Sequence, residues 1–176
     1  MGFIVDPARG SLPTDHLRRA YDYWEALRPG AGLPRREDFD PGAILPLLPN
    51  VNLVDVRWHG GVRRYRHRLV GTGVADYFRT DSTGRWFDEV YTPAHLQRQL
   101  PAYERAACDA APNVDIVVVP LTTCANGPDL MYWRLILPMT RTGGHADMLF
   151  LLFDPVLTDP KHPGRLPLYL DAAADH

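Results

Sequence analysis

Hydrophobic positions change their spacing several times along the chain, and each change predicts an element. After Thr14, a residue type suited to a helix N-cap, the residues Leu17, Ala20, Tyr21, Trp24 and Leu27 recur every three or four positions. That stripe predicts an amphipathic helix, which Pro29-Gly30 ends. A second, short helix is predicted with Asp40 as cap, Pro41 in its first turn, and Ile44, Leu47 and Leu48 facing inward until Pro49-Asn50. The period then falls to two. Residues 51–57 and 62–72 read as a β-hairpin about a turn at 58–61. Helical signals return with short pieces at 74–78 and 86–90. Thr92-Pro93 then opens a longer helix with the stripe Leu96, Leu100, Tyr103, Ala107 and Ala110, in which Pro101 predicts a kink or a break. Three strands follow at 114–122, 130–139 and 147–153, joined by turns at Asn126-Gly127 and Gly143-Gly144.

Two helices, a hairpin, a helical crossover and a three-stranded meander suggest one mostly antiparallel five-stranded sheet with the crossover packed on one face. Met131, Trp133, Leu135 and Leu137 fall on one face of the fourth strand, with Leu130, Tyr132 and Ile136 on the other. Residues 148–153 are apolar throughout. A sheet wetted on one side alternates apolar with polar residues. These strands do not, so both faces are expected to be covered. The second cover is the N-terminal helix, a partner subunit, or both.

Composition adds limits rather than chemistry. The 176 residues suit a single domain, read as an arm at 1–13, a domain at 14–153 and a proline-rich tail at 154–176. The 17 prolines are an excess that mostly marks element ends, with Pro101, Pro120 and Pro138 as exceptions inside or at the ends of elements. A net charge of −2 gives no global field for nucleic acid, and no apolar run is long enough to span a membrane. The start has neither the basic region nor the apolar core of a signal peptide, so a cytoplasmic protein is expected. Cys108 and Cys124 are too few and too far apart for a disulfide framework or a zinc site.

Several stretches together resemble one family: residues 21–41 (YDYWEALRPGAGLPRREDFDP), 48–56 (LPNVNLVDV), 64–72 (RYRHRLVGT), 81–91 (DSTGRWFDEVY), RLILPMT from Arg134 and ADMLFLLF to Phe153. They are similar to the bacterial stand-alone PAS-like proteins, the fifth PAS family. The resemblance implies an α+β PAS-like fold with strand order 2-1-5-4-3. It also implies a sensory, ligand-binding or protein-interaction module in signalling, without catalysis. It transfers no cofactor residue by residue. The family pattern has a glycine after the aromatic of the short helix, whereas here Arg79 follows Phe78.

PAS domains build their pocket between crossover and sheet, which makes His67, Tyr77, Phe78, Trp86, Leu96 and Tyr103 the pocket candidates, for a small apolar ligand. Strand alternation puts Tyr65, His67 and Leu69 on one side and Arg64, Arg66 and Arg68 on the other, the latter read chiefly as a solvated face with neighbouring carboxylates. His95 falls off the apolar stripe of its helix, towards the solvent flank. Neither cysteine lies in the Asn-Cys-Arg-Phe-like motif of flavin light sensors. Leu17, Tyr21 and Trp24 are candidates for a homodimer interface; the other partner expected is a signalling protein. Nucleophile elbow, paired metal-ligand histidines and P-loop are all missing from the sequence, so neither catalytic nor metal residues are assigned. The competing reading is a small cone-fold α+β enzyme doing acid–base chemistry on an apolar substrate, with His67 paired to Tyr65 or Tyr103.

Overall fold

The computed structural model describes residues 3–5, 7–119 and 130–156. Its strands are β1 (Phe3–Val5), β2 (Val51–His59), β3 (Val62–Val70), β4 (Asn113–Val119), β5 (Leu130–Met139) and β6 (Met148–Pro155). Its α-helices are α1 (Asp15–Ala26), α2 (Thr72–Phe78), α3 (Phe87–Val90) and α4 (Pro93–Asp109), with a 3-10 segment at Pro41–Asn50. All strand pairs are antiparallel, in the order β1-β4-β5-β6-β2-β3. Set β1 aside and this is the expected 2-1-5-4-3 order. The cone-fold alternative has no place in it. The sheet gains a sixth strand because the N-terminal arm places Phe3–Val5 beside residues 113–115 of β4. The turn expected at Asn126-Gly127, Cys124, Pro120 and nearly all of the proline-rich tail lie outside the described residues.

Both sheet faces are covered, by different parts of the same chain. Met131, Trp133, Leu135, Leu137 and Met139 of β5 pack with Leu17, Ala20 and Trp24 of α1 and with Ile44 and Leu47. Tyr132 and Ile136 pack with Val74, Phe87 and the α4 residues Ala102, Tyr103 and Ala106. Thr14 caps α1 as expected, its hydroxyl oxygen accepting from the Leu17 N–H at 3.2 Å. Trp24 donates its indole N–H to the Pro138 carbonyl at 2.7 Å, below a buried ring. Pro138 is tolerated because β4 pairs with β5 only as far as Ile136, so β5 has already lost that neighbour.

Three local expectations change. The hairpin turn contracts to Gly60-Gly61, with φ of 58° and 81°, a left-handed pair that suits the twist of the flanking strands. A bulge between Leu53 and Val54 shifts the register: Leu53 faces Leu69 and Val54 faces His67. Beyond the extra residue the alternation inverts. Leu69 is therefore exposed, not beside His67, and Val70 takes the inward position. Helix α4, finally, runs through Pro101 without a break. Pro101 and Gln97, whose carbonyl loses its helical donor to the proline, are both exposed, so water meets the unpaired oxygen.

Candidate functional site

A cavity of about 250 Å³ lies between the crossover and the sheet. Strand β3 reaches it through His67, which is only 3% exposed. Helix α2 contributes Val74 and Phe78, α3 contributes Phe87, and α4 contributes His95, Leu96, Gln99 and Tyr103. The sheet floor adds Tyr132, Arg134 and Phe153. Aromatic rings set its shape. Phe87 meets Tyr103 edge-on at 5.0 Å and Tyr91 edge-on at 5.4 Å, while Tyr91 stacks on His95 at 4.7 Å.

Of the pocket residues expected from sequence, His67, Phe78, Leu96 and Tyr103 line this cavity. Tyr77 stands behind the wall, its hydroxyl donating to the Met131 carbonyl at 3.0 Å. Trp86 lies outside. Its ring receives the Arg64 guanidinium at 4.3 Å, and the segment it closes bonds to β3 through His67 N–H to the Arg85 carbonyl at 2.9 Å. His95 is corrected from solvent flank to cavity wall, because the long helix turns the stripe of Gln99, Ala102, Tyr103 and Ala106, rather than Leu96 and Leu100, most fully inward.

The arginine run is engaged by its neighbours. Arg64 bonds Asp88 at 2.8 Å, Arg63 bonds Glu104 at 2.9 Å, and Arg66 donates to the Gly84 carbonyl at 2.8 Å. Cys108 is exposed beside Arg63. Leu17 and Trp24 are buried within their own chain and Tyr21 is partly buried, which leaves the first two no surface for a second subunit.

The strongest polar feature of the cavity region was not singled out from sequence. Arg134 is 2% exposed and lies opposite Asp115, itself 2% exposed, in the β4–β5 register. The guanidinium donates Nε–H to Asp115 at 2.9 Å, pairs it a second time through Nη2, and donates Nη1–H to the Gln99 side-chain carbonyl at 2.8 Å. Its plane also lies over the Tyr103 ring at 4.9 Å. A sequence signal did exist: one charged residue in each of two apolar strands buried on both faces calls for a mutual partner.

His67 bonds Tyr91 through Nε2 and the phenolic oxygen at 3.0 Å, not Tyr65 or Tyr103. Its Nδ1 is buried without a partner among the described residues. Burial lowers the His67 pKa to about 4, with Asp81 opposing, and burial raises that of Tyr91. Burial also lowers the pKa of His95, helped by Arg98 and Arg134. A phenol made less acidic and an imidazole made less basic are poorly matched to proton transfer near neutral pH. They are well suited to hydrogen bonding with an uncharged group. Among the described residues there is no cluster of three or more metal-ligating side chains, and no helix is long and apolar enough to cross a membrane.

No curated protein and no solved structure matches the chain. A family model described as a PAS domain matches residues 13–152, the span that runs from the cap of α1 into β6 and contains every residue of the cavity but Phe153. With its strand order and crossover in place, the chain belongs to the PAS domain family.

Proposed function

We propose that the protein is a non-catalytic sensory module whose signal is a small molecule held between crossover and sheet. The observation that carries this reading is the aromatic cavity of about 250 Å³, which the packed aromatics of the crossover leave open. Protein interiors are packed to crystal-like density, whereas crossover and sheet here leave a partly open, largely apolar pocket that a small molecule would fill. His67 supplies a route for the signal. Its side chain borders the cavity while its backbone holds the segment at Gly84 and Arg85 against the sheet. Occupancy that moves the ring also moves that segment and the outer surface around Trp86, where a signalling protein would read it. A bacterial, cytoplasmic setting accompanies this reading.

Native mass spectrometry and an absorption spectrum of freshly purified protein test it. A one-to-one adduct is expected, lost in Val74→Phe, which fills the cavity from α2. Unliganded protein in both preparations would leave an adaptor that acts through its surface alone.

A further inference from the structure

Among the described residues the cavity wall carries a hydrogen-bond donor that the protein does not use, and it helps define what kind of molecule fits. His67 and Tyr91 share a single hydrogen bond. A neutral imidazole and a phenol bring one proton each. One proton makes the bond between them and the other is left over, whichever tautomer the histidine adopts. If Tyr91 donates, the surplus is His67 Nδ1–H, an atom buried without a partner. If His67 donates, the surplus is the Tyr91 hydroxyl proton. Gln99 also lines the cavity, with its side-chain oxygen taken by Arg134. Buried donors left unmet are rare in folded proteins, because each forfeits its bonds to water.

Charge and shape narrow the class further. Among the described residues the one full charge on the wall, Arg134, is already countered by Asp115 through two bonds. An anion entering the cavity would lose its hydration and find no free countercharge. The rings around Phe87 and Tyr91 meet edge-on or stacked, so the wall there offers aromatic edges and faces against which a flat ring packs. About 250 Å³ lies below the roughly 300–1,000 Å³ of pockets for drug-sized ligands.

We propose that the cavity takes a flat, uncharged molecule of one or two aromatic rings bearing a carbonyl-type acceptor, which receives the surplus proton of the His67–Tyr91 pair. This rests on reading the cavity as a ligand site. Three one-ring probes separate the elements of the proposal: acetophenone, ethylbenzene and benzoate, each titrated into the full-length protein and followed by saturation-transfer NMR. Acetophenone is expected to bind roughly tenfold tighter than ethylbenzene, the worth of one buried hydrogen bond, and tighter than benzoate. In His67→Phe/Tyr91→Phe, which deletes both protons, acetophenone falls to the level of ethylbenzene, whose own affinity is unchanged. The wild-type comparison decides the class even if that variant does not fold. Ethylbenzene or benzoate binding as tightly as acetophenone would overturn the chemical class and leave the ligand site standing. Silence from all three probes would remove the ligand site and the proposal together.

Discussion

Arg79 holds a backbone position that an L-residue adopts at a cost. It ends α2 with φ of 54° and ψ of 32°, in the left-handed region, at the place where the resemblance noted in the sequence implies a glycine. The turn is thus kept without the residue that normally makes it cheap. Left-handed backbone costs about 1–2 kcal/mol for a residue with a Cβ, and glycine returns part of that through its freer unfolded chain. Arg79→Gly is therefore expected to stabilise the protein by about 0.5–1 kcal/mol, seen as a rise of roughly 1–3 °C in melting temperature. His67 makes the opposite kind of demand, on pH. Its folded pKa of about 4 lies below the ordinary 6.5 because burial disfavours the charged ring. Between these values the unfolded chain binds a proton that the folded chain does not, so stability falls as pH drops from 6.5 towards 4 and this contribution levels off below. The loss approaches about 3 kcal/mol. Urea unfolding of wild type and His67→Phe at pH 7 and pH 4.5 checks it: wild type should lose more stability than the variant over that interval, and equal losses would count against a buried neutral imidazole.

Elements were legible where the local pattern was strong and unopposed. The stripe from Leu17 to Leu27 became α1, and the unbroken apolar run at 148–153 became the core of β6 because both sheet faces are indeed dry. What escaped depended on pairing, which local periodicity does not encode. The bulge opposite Leu53 and Val54 inserts one residue into β3, and every position beyond it exchanges faces. The sequence pattern puts Leu69 on the inner face, where the structure instead places Val70, while Tyr65 and His67, on the near side of the bulge, lie inward as expected. Helix α4 taught a related lesson. Its most hydrophobic residues, Leu96 and Leu100, are only partly buried, whereas small Ala102 and Ala106 are fully buried. Close approach to the sheet selects small side chains, and that approach also brings His95 and Gln99 to the cavity. Of the candidate site, His67, Phe78, Leu96 and Tyr103 could be read in sequence. Tyr91 and Gln99 could not, since each acts through a partner supplied by another element, and the signal for Arg134 lay only in its pairing with Asp115.

At the scale of the whole molecule, the two layers that cover the sheet are held by different physics. The α1 side is apolar packing tied by the bond from Trp24 to Pro138 and, at the start of the helix, by Thr14 and His16 on Asp154 of β6. The α4 side combines packing with a buried polar bridge: Asp115 and Arg134 on neighbouring strands, Gln99 on the helix, and Asn113 donating its amide to the Ala102 carbonyl at 3.1 Å. Through Gln99 and Asn113 that bridge ties the crossover helix to the strands beside the cavity. Such a pair is worth little against an apolar replacement, since both charges must be stripped of water, but breaking it strands one of them. Asp115→Asn should therefore cost about 3–5 kcal/mol, because the Arg134 guanidinium stays buried with its counterion gone. The double change Asp115→Leu/Arg134→Met removes both charges and should recover most of that loss in a urea-unfolding double-mutant cycle. Its effect on the site should differ from its effect on stability. With Arg134 gone, Gln99 is free to turn and the helix to settle onto the floor, so a stable double variant should bind a cavity probe more weakly than wild type does. A double variant equal to wild type in both stability and probe binding would show that packing alone holds the crossover in place.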